Sequence, residues 1–162
     1  MKKLFAAVFL LLASQLASAH PVKAGDLTID GVWARSTAAQ AANGAAYLTI
    51  SNHGASSDKL ISVSTAVADQ AQLHHTSMDN GVMRMREVEG GVEIAAGKTV
   101  KFAPGGFHIM LMGLKKPLKQ GEHFAITLHF ARAGEVKLNV AVRDMAAGHE
   151  MHGDMHDGMK MD

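Results

Sequence analysis

The chain has 162 residues, 48% of them hydrophobic, with 16 basic and 15 acidic side chains and a net charge of +1 when its histidines are neutral. A charge so near balance gives no argument for nucleic acid or an anionic membrane surface, and the length suits one domain with a single core. Cysteine is absent while methionine occurs 11 times and histidine 10 times, so disulfides, thiolate ligands and thiol redox chemistry are excluded, and thioethers and imidazoles are the donors left for a soft cation.

At the N-terminus, Lys2 and Lys3 precede an apolar run from Leu4 to Ala13, and Ala17-Ser18-Ala19 forms a small-residue cleavage site. This is the pattern of a secretory signal peptide over residues 1–19, with a run too short for a comfortable membrane span. It predicts an exported chain that starts at His20, carries 14 basic against 15 acidic residues and has no stable membrane insertion after cleavage.

The body of the chain reads as strands: DLTIDGVWAR from Asp26, GAAYLTISN from Gly44, KLISVSTAVA from Lys59, GVMRMREV from Gly81, VEIAAGKTVKF from Val92, FHIMLMGL from Phe107, HFAITLHFA from His123 and EVKLNVAVR from Glu135. They are short and rich in β-branched residues, and turn signals such as Asp79-Asn80-Gly81 and Pro104-Gly105-Gly106 separate them. In the last, Val136, Leu138, Val140 and Val142 share one face while Lys137, Asn139 and Arg143 share the other. Regularly spaced strands without long amphipathic helices predict an antiparallel β-sandwich or Greek-key barrel over residues 20–144.

Two stretches of this body carry unusual side chains. LHHTSMDNGVMRMREV, from Leu73, holds His74, His75, Met78, Met83 and Met85 around a hairpin turn that can bring His74 and Met85 together. PGGFHIMLMGL, from Pro104, sets His108, Met110 and Met112 on one strand face and Phe107, Ile109 and Leu111 on the other. Taken alone, the second stretch is open to two readings, an irregular core filled by methionine or a soft-metal site. Two His/Met clusters in a chain without cysteine favour the metal. Elsewhere His129 alternates onto a solvent face, His53 falls in a loop, and Trp33 and Tyr47 are expected to pack.

From Met145 to Asp162 the pattern changes. MAAGHEMHGDMHDGMKMD has no periodic apolar face, and Gly153 and Gly158 argue against a helix, so a mobile tail is expected. Its Met151, His152, Met155, His156, Met159 and Met161 are candidate metal ligands, as His-rich short tracts are in general.

The spacing of the clusters resembles the PCu(A)C family of periplasmic copper chaperones, whose pattern is His, ten residues, Met, about twenty-one residues, then His-x-Met. Ten residues separate His74 from Met85, and His108-Ile109-Met110 supplies the last element. The interval from Met85 to His108 holds 22 residues, one more than the pattern, which an extra glycine at Gly90-Gly91 explains. The resemblance covers most of residues 26 to 144. It implies a cupredoxin-like β-sandwich in the periplasm that holds one Cu(I) with His74, Met85, His108 and Met110.

The same resemblance implies a monomeric, non-enzymatic carrier serving the Cu(A) centre of cytochrome c oxidase subunit II, with a thioredoxin-like copper protein as a further candidate partner. The tail would take additional copper, its imidazoles binding Cu(II) and its thioethers Cu(I). Ligand chemistry agrees: thioethers favour Cu(I), a blue-copper electron-transfer site would need a thiolate, and zinc draws on Cys, His and carboxylates. The alternatives are a copper-scavenging or tolerance protein without a dedicated recipient, and a mononuclear copper enzyme built on an N-terminal His20.

Overall fold

The computed structural model describes residues 20–144; the predicted leader at 1–19 and the tail at 145–162, with all its candidate ligands, lie outside the described residues. Eleven strands follow in order: β1 (Val22–Ala24), β2 (Leu27–Arg35), β3 (Asn43–Asn52), β4 (Asp58–Thr65), β5 (Ala68–Asp79), β6 (Val82–Glu87), β7 (Val92–Ile94), β8 (Thr99–Phe102), β9 (Phe107–Leu114), β10 (His123–Phe130) and β11 (Gly134–Arg143). No helix occurs among the described residues.

Hydrogen bonding links the strands in the order β6-β5-β9-β8-β3-β2-β11-β10-β4-β7, with β1 added beside β2. The cupredoxin-like all-β fold expected from the sequence is present, but the sheet is mixed where a purely antiparallel one was expected: β11 runs parallel to β2, and β8 parallel to β9. The second case follows from β3, whose first half pairs antiparallel with β9 and whose second half pairs antiparallel with β8. Two strands laid along one edge of a third, both opposed to it, must point the same way.

The alternating side chains of these strands meet in one core. Leu27, Ile29, Leu48, Ile50, Leu60, Ile94, Ile109, Leu111, Ile126, Leu128 and Val140 are fully buried in it. Each such side chain contributes roughly 1.5–3 kcal/mol relative to exposure. Ile109 and Leu111 therefore anchor β9 from below, and their alternation fixes which face His108, Met110 and Met112 occupy.

Several boundaries differ from the sequence reading. The segment from Lys59 to Ala68 is cut after Thr65, and the segment from Val92 to Phe102 is broken by a turn in which Lys98 N donates to the Ala95 carbonyl at 3.0 Å. The long β5, ADQAQLHHTSMD, has little intrinsic strand preference. It is extended because β9 and β6 pair with its two sides. Gly90 and Gly91, the position of the extra residue, lie between β6 and β7 with φ of 83° and 91°, so the insertion is absorbed outside the β5–β9 register.

Candidate metal site

Register decides which side chains share the outer face. On β5 and β9, His74 lies opposite His108 and Gln72 opposite Met110. On β5 and β6, Thr76 lies opposite Met85, Met78 opposite Met83, and His74 opposite Glu87. Residues directly opposed in a ladder point to the same side, so His74, His108, Met110 and Met85 share one face with Met112, Met83 and Met78. Met85 is diagonal to His74, one pair along, where the sequence reading brings the two together across the turn. A diagonal separation of roughly 7–8 Å between backbones remains within reach of a flexible thioether.

The two imidazoles are deep and close. His108 is 4% exposed and His74 half-buried, with ring centroids 5.7 Å apart at 49°. Each ring is held at one nitrogen. His74 Nε2 donates to Gln72 Oε1 at 2.9 Å, and His108 Nδ1 donates to the Gly106 carbonyl at 3.3 Å. The carbonyl can only accept, so the proton of neutral His108 sits on Nδ1 and its Nε2 carries a lone pair; the Gln72 contact does the same for Nδ1 of His74.

Those remaining nitrogens, His74 Nδ1 and His108 Nε2, are buried without a hydrogen-bond partner in the protein. Leaving a polar atom so costs about 1–3 kcal/mol, which asks for an explanation. Metal-binding imidazoles are commonly oriented in this way, one ring nitrogen donating to a neighbouring oxygen while the other presents its lone pair. Metal–imidazole bonds of about 2 Å would let both rings reach an ion between them. Burial holds the His108 pKa below its ordinary value; the Gly106 hydrogen bond opposes this, and the nearby His74 and His75 add to it. The ring thus stays neutral, and able to ligate, at lower pH than a free histidine.

The thioethers lie further out. Met110 is half-buried and Met85 is 53% exposed. An open cleft of about 580 Å³ has His108, Met110, Met85, Met83, Thr76 and Tyr47 among its walls. Tyr47 is buried against Trp33, ring centroids 4.7 Å apart, and burial raises its pKa, which the nearby Arg35 partly offsets. No group of three or more His, Cys, Asp or Glu side chains converges among the described residues, and sulfur donors stand on the same face as the two histidines.

The other candidates separate cleanly. His75 points to the opposite face and stacks on Phe107 at 4.6 Å. Met112 stays on the site face, opposite Gln70 and Asn43, one pair beyond Met110. His129 bridges Ser64 Oγ at 3.1 Å and Glu135 at 3.4 Å on a distant strand, and His20 and His53 are exposed. Sequence reasoning missed Gln72 and the Gly106 carbonyl as holders of the rings, although Gln72 stands two residues before His74, the spacing that shares a strand face.

A family model described as "Putative lipoprotein LpqE-like" matches residues 27–142. Among curated proteins, the chain is 38% identical over 106 residues to "Putative lipoprotein Lxx21020" of Leifsonia xyli, covering 65% of this chain. It is 34% identical over 113 residues to "Uncharacterized protein RP573" of Rickettsia prowazekii, covering 68%. The matches span 64% and 62% of those relatives, a little under two thirds of their length.

Among solved structures, the apo PCuAC domain from PmoF1 superposes with a TM-score of 0.67 at 29% identity, covering 77% of this chain and 99% of that one. The copper-bound PCuAC domain from PmoF2 gives 0.66 at 26%, covering 77% and 98%. The Cu(I) form of DR1885 from Deinococcus radiodurans gives 0.58 at 28%, covering 82% and 87%.

Proposed function

Since the chain belongs to the LpqE-like family, which is the PCu(A)C family, we propose that it is an exported, non-enzymatic carrier that holds one Cu(I) with His74, His108, Met110 and Met85 and hands it on. One observation carries this reading: two imidazoles, His108 buried and His74 half-buried, are each held at one nitrogen and leave the other buried without a partner, on a strand face that also carries Met85 and Met110. Neutral imidazole and thioether add no negative charge, which suits a monovalent soft ion and leaves the site weaker than a set of thiolates.

That ordering favours an acceptor built on thiolates. An acceptor with cysteine ligands, such as the Cu(A) domain of cytochrome c oxidase subunit II, draws Cu(I) from His/Met donors and does not return it. A thioredoxin-like copper protein would act by the same thiolate chemistry. The proposed working compartment is the periplasm. The segment 145–162 would collect further Cu(I) and Cu(II), raising local supply through its tether.

The test is a Cu(I) competition titration followed by mixing with an apo Cu(A) domain. Full-length protein should metallate the acceptor. Combined Met85→Leu and Met110→Leu replacement should impair transfer more than deletion of residues 148–162. Retention of copper against a thiolate acceptor, with a deletion phenotype limited to excess copper, would support scavenging instead.

A further inference from the structure

We propose that the tip of the β5–β6 hairpin is a second Cu(I) site, made of thioethers alone, in which Met78 and Met83 receive the ion and Met85 passes it to His74 and His108. The relay role rests on His74 and His108 being the deeper copper site; binding at the hairpin does not. Four of the five large apolar side chains that stand exposed among the described residues, Met78, Val82, Met83 and Met85, belong to this one hairpin.

Met78 and Met83 are directly opposed across the ladder and both are 69% exposed, so neither serves the core. The next pair on the same face, Thr76 and Met85, puts a third thioether one step toward His74 and His108. The tip is set by Asn80 and Gly81, with φ of 50° and 76°, between the paired Asp79 and Val82. Two successive positive φ values make the two-residue turn that fixes hairpin register, so the Met78–Met83 pairing is not free to slip.

The hairpin's two faces differ in chemistry. Asp79 and Arg84, 3.4 Å apart, lie on the face opposite the methionines. The methionine face turns to the cleft, which Met83 and Met85 line together with His108 and Met110. Opposed side chains have Cβ atoms about 4.5–5.5 Å apart, and the unbranched thioethers can close on one ion between them. Thioethers select Cu(I) over harder ions, and they have no proton to lose on binding. Capture at the tip is therefore independent of pH where capture by imidazole is not. Packing against a protein partner is the competing use of such a face.

The experiment uses full-length protein with methionine labelled at its ε-methyl carbon, titrated anaerobically with acetonitrile-stabilised Cu(I) and followed by NMR. Single Met78→Leu and Met83→Leu variants assign the two signals. The Met78 and Met83 methyls should shift together, and should still shift at pH 5. The double variant should keep the His74 and His108 ring shifts at saturation but approach them several-fold more slowly. Met78 and Met83 methyls that stay in place while Met85 and Met110 saturate would overturn the site, and an unchanged loading rate in the double variant would overturn the relay. Shifts of the hairpin methyls without any movement of the imidazole signals would leave the hairpin site standing and refute the deeper one.

Discussion

Within the proposed copper face, β9 and β6 are built in opposite ways. β9 lies between β5 and β3, with Ile109 and Leu111 fully buried beneath it and His108 4% exposed above. β6 is the sheet edge, pairs only with β5, and exposes every one of its six residues. One strand offers a donor fixed by packing; the other offers donors exposed to solvent. For the proposed carrier, the held imidazoles would set affinity and the exposed thioethers would be the ligands an incoming acceptor displaces first. The Gly106 carbonyl joins the two regions, accepting from Thr76 N at 3.0 Å at the hairpin root and from the His108 ring.

If the division is real, damage to the fixed half should be felt by fold and metal alike. His108→Ala removes a buried ring, so unfolding free energy measured in urea should fall by about 2 kcal/mol, within the range of buried truncations. Cu(I) affinity should fall by about 100-fold or more in competition with a chelator, since even the loss of a group that merely orients a ligand costs 10–100-fold. Affinity within twofold of wild type would remove His108 from the site.

The positioning residue comes next. Gln72→Leu leaves β5 paired on both sides but frees the His74 ring, so Cu(I) affinity should drop by about 10-fold while stability changes little. Met85→Leu tests the exposed half: stability should stay within about 0.5 kcal/mol and affinity should fall by about tenfold, equivalent to 1.4 kcal/mol. An equal loss of stability in Met85→Leu and His108→Ala would break the contrast.

Acid should likewise act on the fixed half. The His108 pKa lies below its ordinary value in the fold, chiefly through burial. The unfolded imidazole binds its proton near pH 6.5, so below that pH the unfolded state holds more protons than the folded one. Stability of the apo protein is thus complete above about pH 6.5 and declines as pH falls through the folded pKa. Urea midpoints at stepped pH should show this decline in wild type and a shallower one in His108→Phe; equal slopes would contradict it.

The smallest effect is expected at Gly81. Its φ of 76° disfavours any side chain. Gly81→Ala should cost about 1 kcal/mol, local to the hairpin, seen as faster amide exchange in β6 with an unchanged core.

Much of this was legible in the sequence because strand period alone sorts side chains. The alternation through Phe107, Ile109 and Leu111 assigns His108, Met110 and Met112 to the outer face, and the structure has them there. The Asp79-Asn80-Gly81 signal likewise gives the hairpin. What could not be read was register, which depends on partners remote in the chain. Met85 lies opposite Thr76 because the loop is the two residues Asn80 and Gly81, and His74 meets His108 because β5 runs antiparallel to β9 across 33 intervening positions. The low strand preference of β5 concealed the element that brings the site together. The role of the Gly106 carbonyl was invisible because backbone groups carry no sequence signature.

The most direct test of the central claim, that the two hydrogen-bonded imidazoles and the thioethers of Met110 and Met85 share one ion, is a crystal structure of the Cu(I)-loaded protein with anomalous data at the copper edge. A copper peak bonded to Nδ1 of His74 and Nε2 of His108, completed by the sulfurs of Met110 and Met85, is the predicted result. A copper ion bound through the other nitrogen of either ring, or held on this face without either histidine, would contradict it.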